Sequence, residues 1–144
     1  MSAPSPQSPP SLSPHQLLHP SHWKSAVGYA NGLLATGQQV YIGGQIGWNG
    51  QQVFETDDLV AQIRQTLDNI VTILAEADGR PEHLVRLTWY VKDKREYLAR
   101  LKEVGAVYRS VLGKHFPAMT MVQVADLVED EAKVEIEATA VIPD

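Results

Sequence analysis

The segment from Lys133 to Ala140 alternates polar and apolar residues at every position. In an extended strand, successive side chains point to opposite faces of the sheet. The alternation therefore predicts a strand that packs against a core on one face only. The core face would carry Val134, Ile136, Ala138 and Ala140, and the other face Glu135, Glu137, Thr139 and Val141.

Two helices are predicted to cover the apolar face. The first follows candidate N-caps at Thr56, Asp57 and Asp58, and its apolar residues recur every three or four positions until Gly79 can end it. The second follows Asp93 as N-cap and ends at Gly113. The apolar stripes are Leu59, Ile63, Leu67, Ile70 and Leu74 in the first helix, and Tyr97, Leu101, Val104, Tyr108 and Val111 in the second.

Four further segments read as strands, which gives the order ββαβαββ. Leu33–Thr36 and Val40–Ile46 flank a turn-sized gap with a glycine and predict an opening hairpin, while Val85–Val91 and Met119–Val124 follow the two helices. Right-handed crossovers would put both helices on one face of a mixed sheet, which is an α+β fold. The other face keeps apolar groups such as Val141, so we expect self-association there.

Length, charge and composition exclude several classes of function. The 144 residues predict one domain over residues 15–144, after a flexible Ser- and Pro-rich tail at residues 1–14. A net charge of -5 without a basic cluster argues against nucleic acid as a partner, and the absence of cysteine excludes disulfides and thiolate metal sites. No apolar run is long enough to span a bilayer, and no signal peptide is visible. We therefore expect a soluble, cytoplasmic protein that does not bind membranes.

Polar residues near the strands are candidates for chemistry. Glu135 and Glu137 share one strand face at a spacing that suits an acid/base pair around a water, although an ordinary polar strand face gives the same pattern. Gly43 and Gly44 permit close approach of a ligand or of another backbone, as in any bulge.

The loop before the fourth predicted strand is a second candidate. In the run His115-Phe116-Pro117-Ala118, Pro117 restricts the backbone. Such a loop could position the backbone of Ala118 and the hydroxyl of Thr120 for binding; the alternative is a proline that only orders the strand entry.

No metal or cofactor site is predicted. His15, His19 and His22 have the spacing of one helix face, but Pro20 breaks that helix and no acidic or thiol ligand lies nearby. Nucleophile elbows, phosphate-binding loops and dinucleotide-binding glycine motifs are also absent. Catalysis, if present, would therefore rest on acid/base groups and a positioned water. Trp48 and Trp89 are interpreted as core or interface residues.

Taken in order, several segments resemble the RidA/YjgF family, also described as L-PSP endoribonuclease-like proteins. The similarity implies a chorismate-mutase-like α+β fold and a homotrimer with three clefts between subunits. In the deaminase branch of that family, reactive enamines and imines such as 2-aminoacrylate are hydrolysed without a metal. The resemblance covers most of the chain and rests on Gly28-Tyr29, residues 43–45, 65–70 and 85–93, Phe116-Pro117-Ala118 and residues 133–141.

The resemblance also implies roles for individual residues. It puts Glu135 beside the attacking water and forms the substrate site from Tyr29, Gly43, Gly44, Ala118, Met119 and Thr120. In the deaminase branch, the position of Met119 holds an arginine that pairs with the substrate carboxylate. Losing one side of such a buried pair costs about 2–5 kcal/mol. We therefore expect poor activity on 2-aminoacrylate.

Three readings of the function remain open from the sequence. The first is a hydrolase or deaminase of a small imine, enamine or related unsaturated compound. The second is a non-catalytic ligand-binding or protein-interacting trimer on the same scaffold. A ribonuclease, suggested by the family label, is disfavoured by the acidic balance. Arg86 or Arg109 of a neighbouring subunit is the alternative source of the missing positive charge.

Overall fold

A four-stranded mixed sheet with its helices on one face forms the body of the protein. The structure is a computed structural model that describes residues 13–144. Ten elements follow one another along the chain. They are β1 (Gln16–Leu18), β2 (Gly32–Leu34), β3 (Gln38–Ile46), α1 (Leu59–Ala75), a 3-10 turn (Pro81–His83), β4 (Leu84–Val91), α2 (Lys94–Ala99), α3 (Leu101–Leu112), β5 (Ala118–Gln123) and β6 (Val134–Ile142).

The last strand lies in the middle of the sheet. The strand order is β3-β6-β4-β5; β6 pairs antiparallel with β3 and β4, whereas β4 and β5 are parallel. The helix α1 connects β3 to β4, and α2 and α3 connect β4 to β5. This arrangement confirms the predicted α+β fold with one mixed sheet. Strand β5 and strand β3 are its two edges.

The core lies between the sheet and the helices, as the alternation in β6 predicts. Val134, Ile136, Ala138 and Ala140 are all buried. The apolar stripe of α1, from Leu59 to Leu74, is buried against them. Asp58 is the N-cap of α1, because its carboxylate accepts a hydrogen bond from the Ala61 amide at 2.9 Å.

The predicted opening hairpin is wrong. β2 pairs with β1, in the register Leu17↔Leu33, and not with β3. Gly37, at φ +147°, lies so close to the backbone of Ile142 that a Cβ there would overlap it. The chain therefore passes from β2 onto the end of β6, and β3 pairs with β6 instead of folding back on β2.

The second predicted helix is two helices. It breaks at Arg100, whose φ of -124° and ψ of 25° are not helical. The Arg100 guanidinium forms ion pairs with Asp58 and, at 2.7 Å, with Glu103. Asp58 lies at the start of α1, so this contact joins the break to the first helix, and it lowers the pKa of the Asp58 carboxyl. Asp93 caps α2 and Gly113 ends α3, as predicted.

Two further predictions concern the N-terminal tail and membrane-spanning helices. The predicted tail at residues 1–14 lies outside the described residues except for Ser13 and Pro14. Among the helices formed by residues 13–144, none has the length and apolar character needed to cross a bilayer.

The core of α1 can be tested by a matched pair of substitutions. Leu67 is fully buried and Ile73, on the same helix, is 38% exposed. We expect Leu67→Ala to lower the free energy of unfolding by about 2–5 kcal/mol, because it leaves a cavity. Ile73→Ala should cost far less. Denaturant unfolding at one fixed protein concentration measures both, and equal losses would contradict the position of the core.

Candidate functional site

The face of the sheet opposite the helices, called here the open face, carries the polar side chains of the strands. Pairing aligns them in three rows, each with one residue from β6, β4 and β5. Helices leave this face uncovered, and Tyr41 of β3 is 73% exposed on it. The rows are Glu135, Tyr90 and Val122; Glu137, Thr88 and Thr120; and Thr139, Arg86 and Ala118.

A β-bulge at Gly43 and Gly44 brings β3 close to Glu135. The register of β3 on β6 shifts by one residue between Ile42 and Gln45, so the two glycines lie opposite Glu137 alone. Gly44 contacts the Glu135 carboxylate so closely that a Cβ at Gly44 would overlap it. The predicted close approach at this glycine is therefore an approach to the candidate catalytic side chain.

The two glutamates of β6 differ in their partners. Glu137 accepts a hydrogen bond from the Tyr90 hydroxyl at 3.0 Å. This bond to a carboxylate holds the phenolic proton and raises the pKa of Tyr90. Within residues 13–144, the half-buried Glu135 carboxylate has neither a hydrogen-bond partner nor an ion pair. Of the two, Glu135 is the one whose carboxylate has no donor from the described residues and can accept a hydrogen bond from a water.

A second group of predicted site residues lies at the edge strand β5. The Ala30 amide donates a hydrogen bond to the Pro117 carbonyl at 3.0 Å, and Ala30 bridges to Ala118. The exposed Tyr29 precedes that bridge, and Thr120 follows on the open face. Strand β4 separates this group from Glu135, so the two groups lie about two strand spacings, or roughly 10 Å, apart across the sheet and are also displaced along the strands.

Met119 lies on the other face of the sheet. It is opposite Leu87 in the register and packs, partly buried, against the hydrophobic core. Because side chains alternate along β5, Met119 and Thr120 point to opposite faces. Within one chain, Met119 therefore does not share a surface with Glu135.

The loop before β5 is held by aromatic and polar contacts. Phe116 stacks on Tyr108 at 5.2 Å between ring centroids, and the Tyr108 hydroxyl donates to the His115 carbonyl at 2.7 Å. His115 Nε2 donates to the Leu84 carbonyl at 2.7 Å, since a carbonyl can only accept. These contacts, together with Pro117, fix the entry of β5, as the sequence predicts. Burial of the His115 ring lowers its pKa.

Other predicted residues take structural positions. Trp89 is buried in the core and Trp48 packs against Phe54 at 5.8 Å between ring centroids. His15 is buried and donates to the His83 carbonyl, while His19 contacts Trp23 and Asn31. Residues 13–144 contain no group of three His, Cys, Asp or Glu side chains arranged to hold a metal ion.

Sequence reasoning gave Tyr90 no role in the site and considered Arg86 only as a residue of a neighbouring subunit. Both belong to the polar half of the alternation in β4, together with Thr88. That alternation was the available signal, because its polar residues must share a face with Glu135 and Glu137 once β4 pairs with β6.

Comparison with known proteins agrees with this fold. A family model described as Endoribonuclease L-PSP matches residues 20–142. The RutC family protein PM1466 of Pasteurella multocida is 31% identical over 126 residues, which cover 88% of this chain and 97% of the relative. The 2-iminobutanoate/2-iminopropanoate deaminase of Escherichia coli K12 is 36% identical over 108 residues, covering 73% and 80%.

Solved structures give the same result. YyfB of Yersinia pestis, a Rid family protein described as of unknown function, matches with a TM-score of 0.79 and 28% identity, covering 89% of this chain and 98% of its own. The YjgF gene product of E. coli matches with a TM-score of 0.62 and 36% identity, covering 81% and 90%.

The burial of His115 predicts that the stability of the protein depends on pH. The pKa of His115 is lowered by burial, so the folded protein binds the proton less readily than the unfolded chain. The stabilising contribution of neutral His115 is thus present above its ordinary pKa of 6.5 and is lost as the pH falls below that value. We expect the free energy of unfolding to decrease from pH 7 to pH 5.

A matched pair of variants tests whether His115 causes that decrease in the free energy of unfolding. His115→Gln keeps a side-chain N–H for the Leu84 carbonyl but cannot titrate, so it should lose less stability between pH 7 and pH 5 than the unchanged protein. His22→Gln, at an exposed position, should keep the full decrease. Parallel pH profiles for both variants would contradict the role of His115.

Proposed function

Since this chain belongs to the Endoribonuclease L-PSP family, which includes the RidA and YjgF proteins, we propose that it hydrolyses a small imine, enamine or related unsaturated compound without a metal. The unpartnered Glu135 carboxylate, seated against Gly44, is the observation that supports this activity most directly. The E. coli relative is a deaminase of 2-imino acids by its name, which supports the class of reaction.

The reaction requires one general base next to the imine carbon. A water attacks the carbon of the C=N bond and gives a proton to Glu135, which passes it to the nitrogen as the C=N π bond opens. In the carbinolamine, Glu135 then transfers the hydroxyl proton to the amino group, which leaves as ammonia as the carbonyl forms. One imine and one water thus give one carbonyl compound and one ammonia. An enamine enters the same path after protonation at carbon.

We further propose that the active unit is a homotrimer with the site in a cleft between subunits. Within one chain, Glu135 and the group of Tyr29, Ala118 and Thr120 lie on different strands. The open face also exposes apolar groups, among them Tyr41 and Val122 at 73% and 42%. Association through this face would cover them, and a neighbouring copy could bring its β5 edge to Glu135.

The proposed substrate is not 2-aminoacrylate. Met119 packs against the core and carries no charge, so the position offers nothing to a carboxylate bonded directly to the imine carbon. Absence of that ion pair lowers kcat/KM for such a substrate by about 10²- to 10³-fold. The same absence favours the second candidate function, a non-catalytic ligand-binding or protein-interacting trimer on this scaffold.

Ammonia release distinguishes the two functions. Imines generated enzymatically from neutral and acidic precursors would be offered to the unchanged protein, to Glu135→Gln and to Met119→Arg. We expect hydrolysis above the uncatalysed rate for neutral imines and about 10²-fold less with Glu135→Gln, a typical general-base contribution. Glu129→Gln, on the exposed loop before β6, is the control. Rates equal to the uncatalysed reaction throughout would leave the binding function.

The contact between Gly44 and Glu135 gives an independent test. Gly44→Ala adds a methyl group that overlaps the carboxylate, so it should move Glu135 and reduce the rate nearly as much as Glu135→Gln. Gly50→Ala adds the same group where it meets no atom within 4 Å, and should leave the rate unchanged. Full activity in Gly44→Ala would exclude Glu135, in its present position, as the base.

The assembly is measured separately. We expect light scattering to give the mass of three 15.9 kDa chains, about 48 kDa. A mass of one chain at micromolar concentration would refute the inter-subunit cleft, whatever the activity.

A further inference from the structure

Arg86 is the only basic residue in the four strands of the main sheet. Its side chain is exposed on the open face, in the row with Thr139 and Ala118. Within residues 13–144 it has no ion pair and no side-chain hydrogen bond. An arginine in this setting has donors available for an external carboxylate, which it binds with two parallel hydrogen bonds.

The strand carboxylate nearest to Arg86 belongs to Glu137, and it is hydrogen-bonded to another residue. Glu137 lies diagonally across from Arg86, within reach of a long side chain, because its direct partner on β4 is Thr88. Its carboxylate instead accepts the hydroxyl of Tyr90, which lies on the far side of Thr88 from Arg86. The hydrogen bond therefore directs the Glu137 carboxylate to Tyr90, and Glu137 forms no ion pair with Arg86.

A cavity adjoins Arg86 on the open face. Its volume is about 210 Å³, and Tyr41, Gly43, Glu137 and Thr139 line it together with Arg86. This is room for a small organic molecule. Gly43, which lines the cavity, belongs to the same bulge as Gly44, and Gly44 lies against the Glu135 carboxylate.

We propose that the Arg86 cavity binds the carboxylate of a substrate whose imine nitrogen is directed toward Glu135; this assignment rests on the proposed function of that residue. Arg86 pairs with Thr139, four residues from Glu135 on β6, so their Cα positions differ by about 13 Å along the strand. The opposite charges at the two ends match a molecule with a carboxylate at one end and a protonated nitrogen several bonds away. A 2-imino acid, whose carboxylate is bonded to the imine carbon, is too short.

Binding of a stable analogue tests the assignment without turnover. The probe is 4-aminopentanoate, the saturated counterpart of a 4-imino acid, and its neutral match is 4-aminopentanamide. NMR titration of the full chain measures both dissociation constants. Because hydrogen bonds to charged groups exceed neutral ones, we expect the carboxylate to bind about ten- to a hundredfold more tightly than the amide.

Two arginine variants test whether Arg86 causes the preference for the carboxylate probe. Arg86→Gln should bind the two probes equally, whereas Arg95→Gln, on the exposed surface of α2, should keep the preference for the carboxylate. A preference that survives in Arg86→Gln, or one absent from the unchanged protein, overturns the assignment. An Arg86-dependent preference in a protein that hydrolyses no imine upholds the carboxylate site and refutes only the proposed activity.

Discussion

The two-residue alternation of β6 is the constraint on which the rest of the structure depends. Because β6 lies between β3 and β4, its four small and branched apolar residues form the part of the core that packs against α1. The same alternation sends Glu135 and Glu137 to the open face. A slip of one residue in register would bury both carboxylates and expose the apolar residues of β6. The free energy cost of such a slip far exceeds the stability of a domain of this size. Folding and the placement of the candidate base are therefore one requirement.

The open face shows how one strand can hold two carboxylates in different surroundings. Glu137 and Glu135 have the same side chain and the same orientation, but only Glu137 has a phenol within hydrogen-bond distance. Glu135 instead lies against a glycine, and a residue without a Cβ is required there because any side chain would occupy the position of the carboxylate. Tyr90 and Gly44 thus differentiate the pair, one by supplying a donor and the other by leaving room.

Periodic segments of the fold could be predicted from the sequence, and contacts between distant residues could not. The stripe of α1, its N-cap Asp58 and the two faces of β6 follow from local spacing. The pairing of β1 with β2 joins three-residue strands that carry almost no pattern, and Arg100, where the second helix breaks, forms an ion pair with Asp58, 42 residues away. The role of Tyr90 likewise needs the register of β4 on β6. The face of Met119, by contrast, was predictable, since Thr120 and Met119 must alternate.

The alternation of side chains along β5 changes what Met119 implies about the ligand. A cation at residue 119 would leave the strand on the side of the helices, close to the β5 edge, whereas Arg86 leaves β4 on the open face beside the Gly43 bulge. The two positions would hold a carboxylate on different sides of the sheet and at different distances from Glu135. In this chain no basic residue lies on β5, and in the proposed site the distance from Arg86 to Glu135 along β6 sets the length of the substrate.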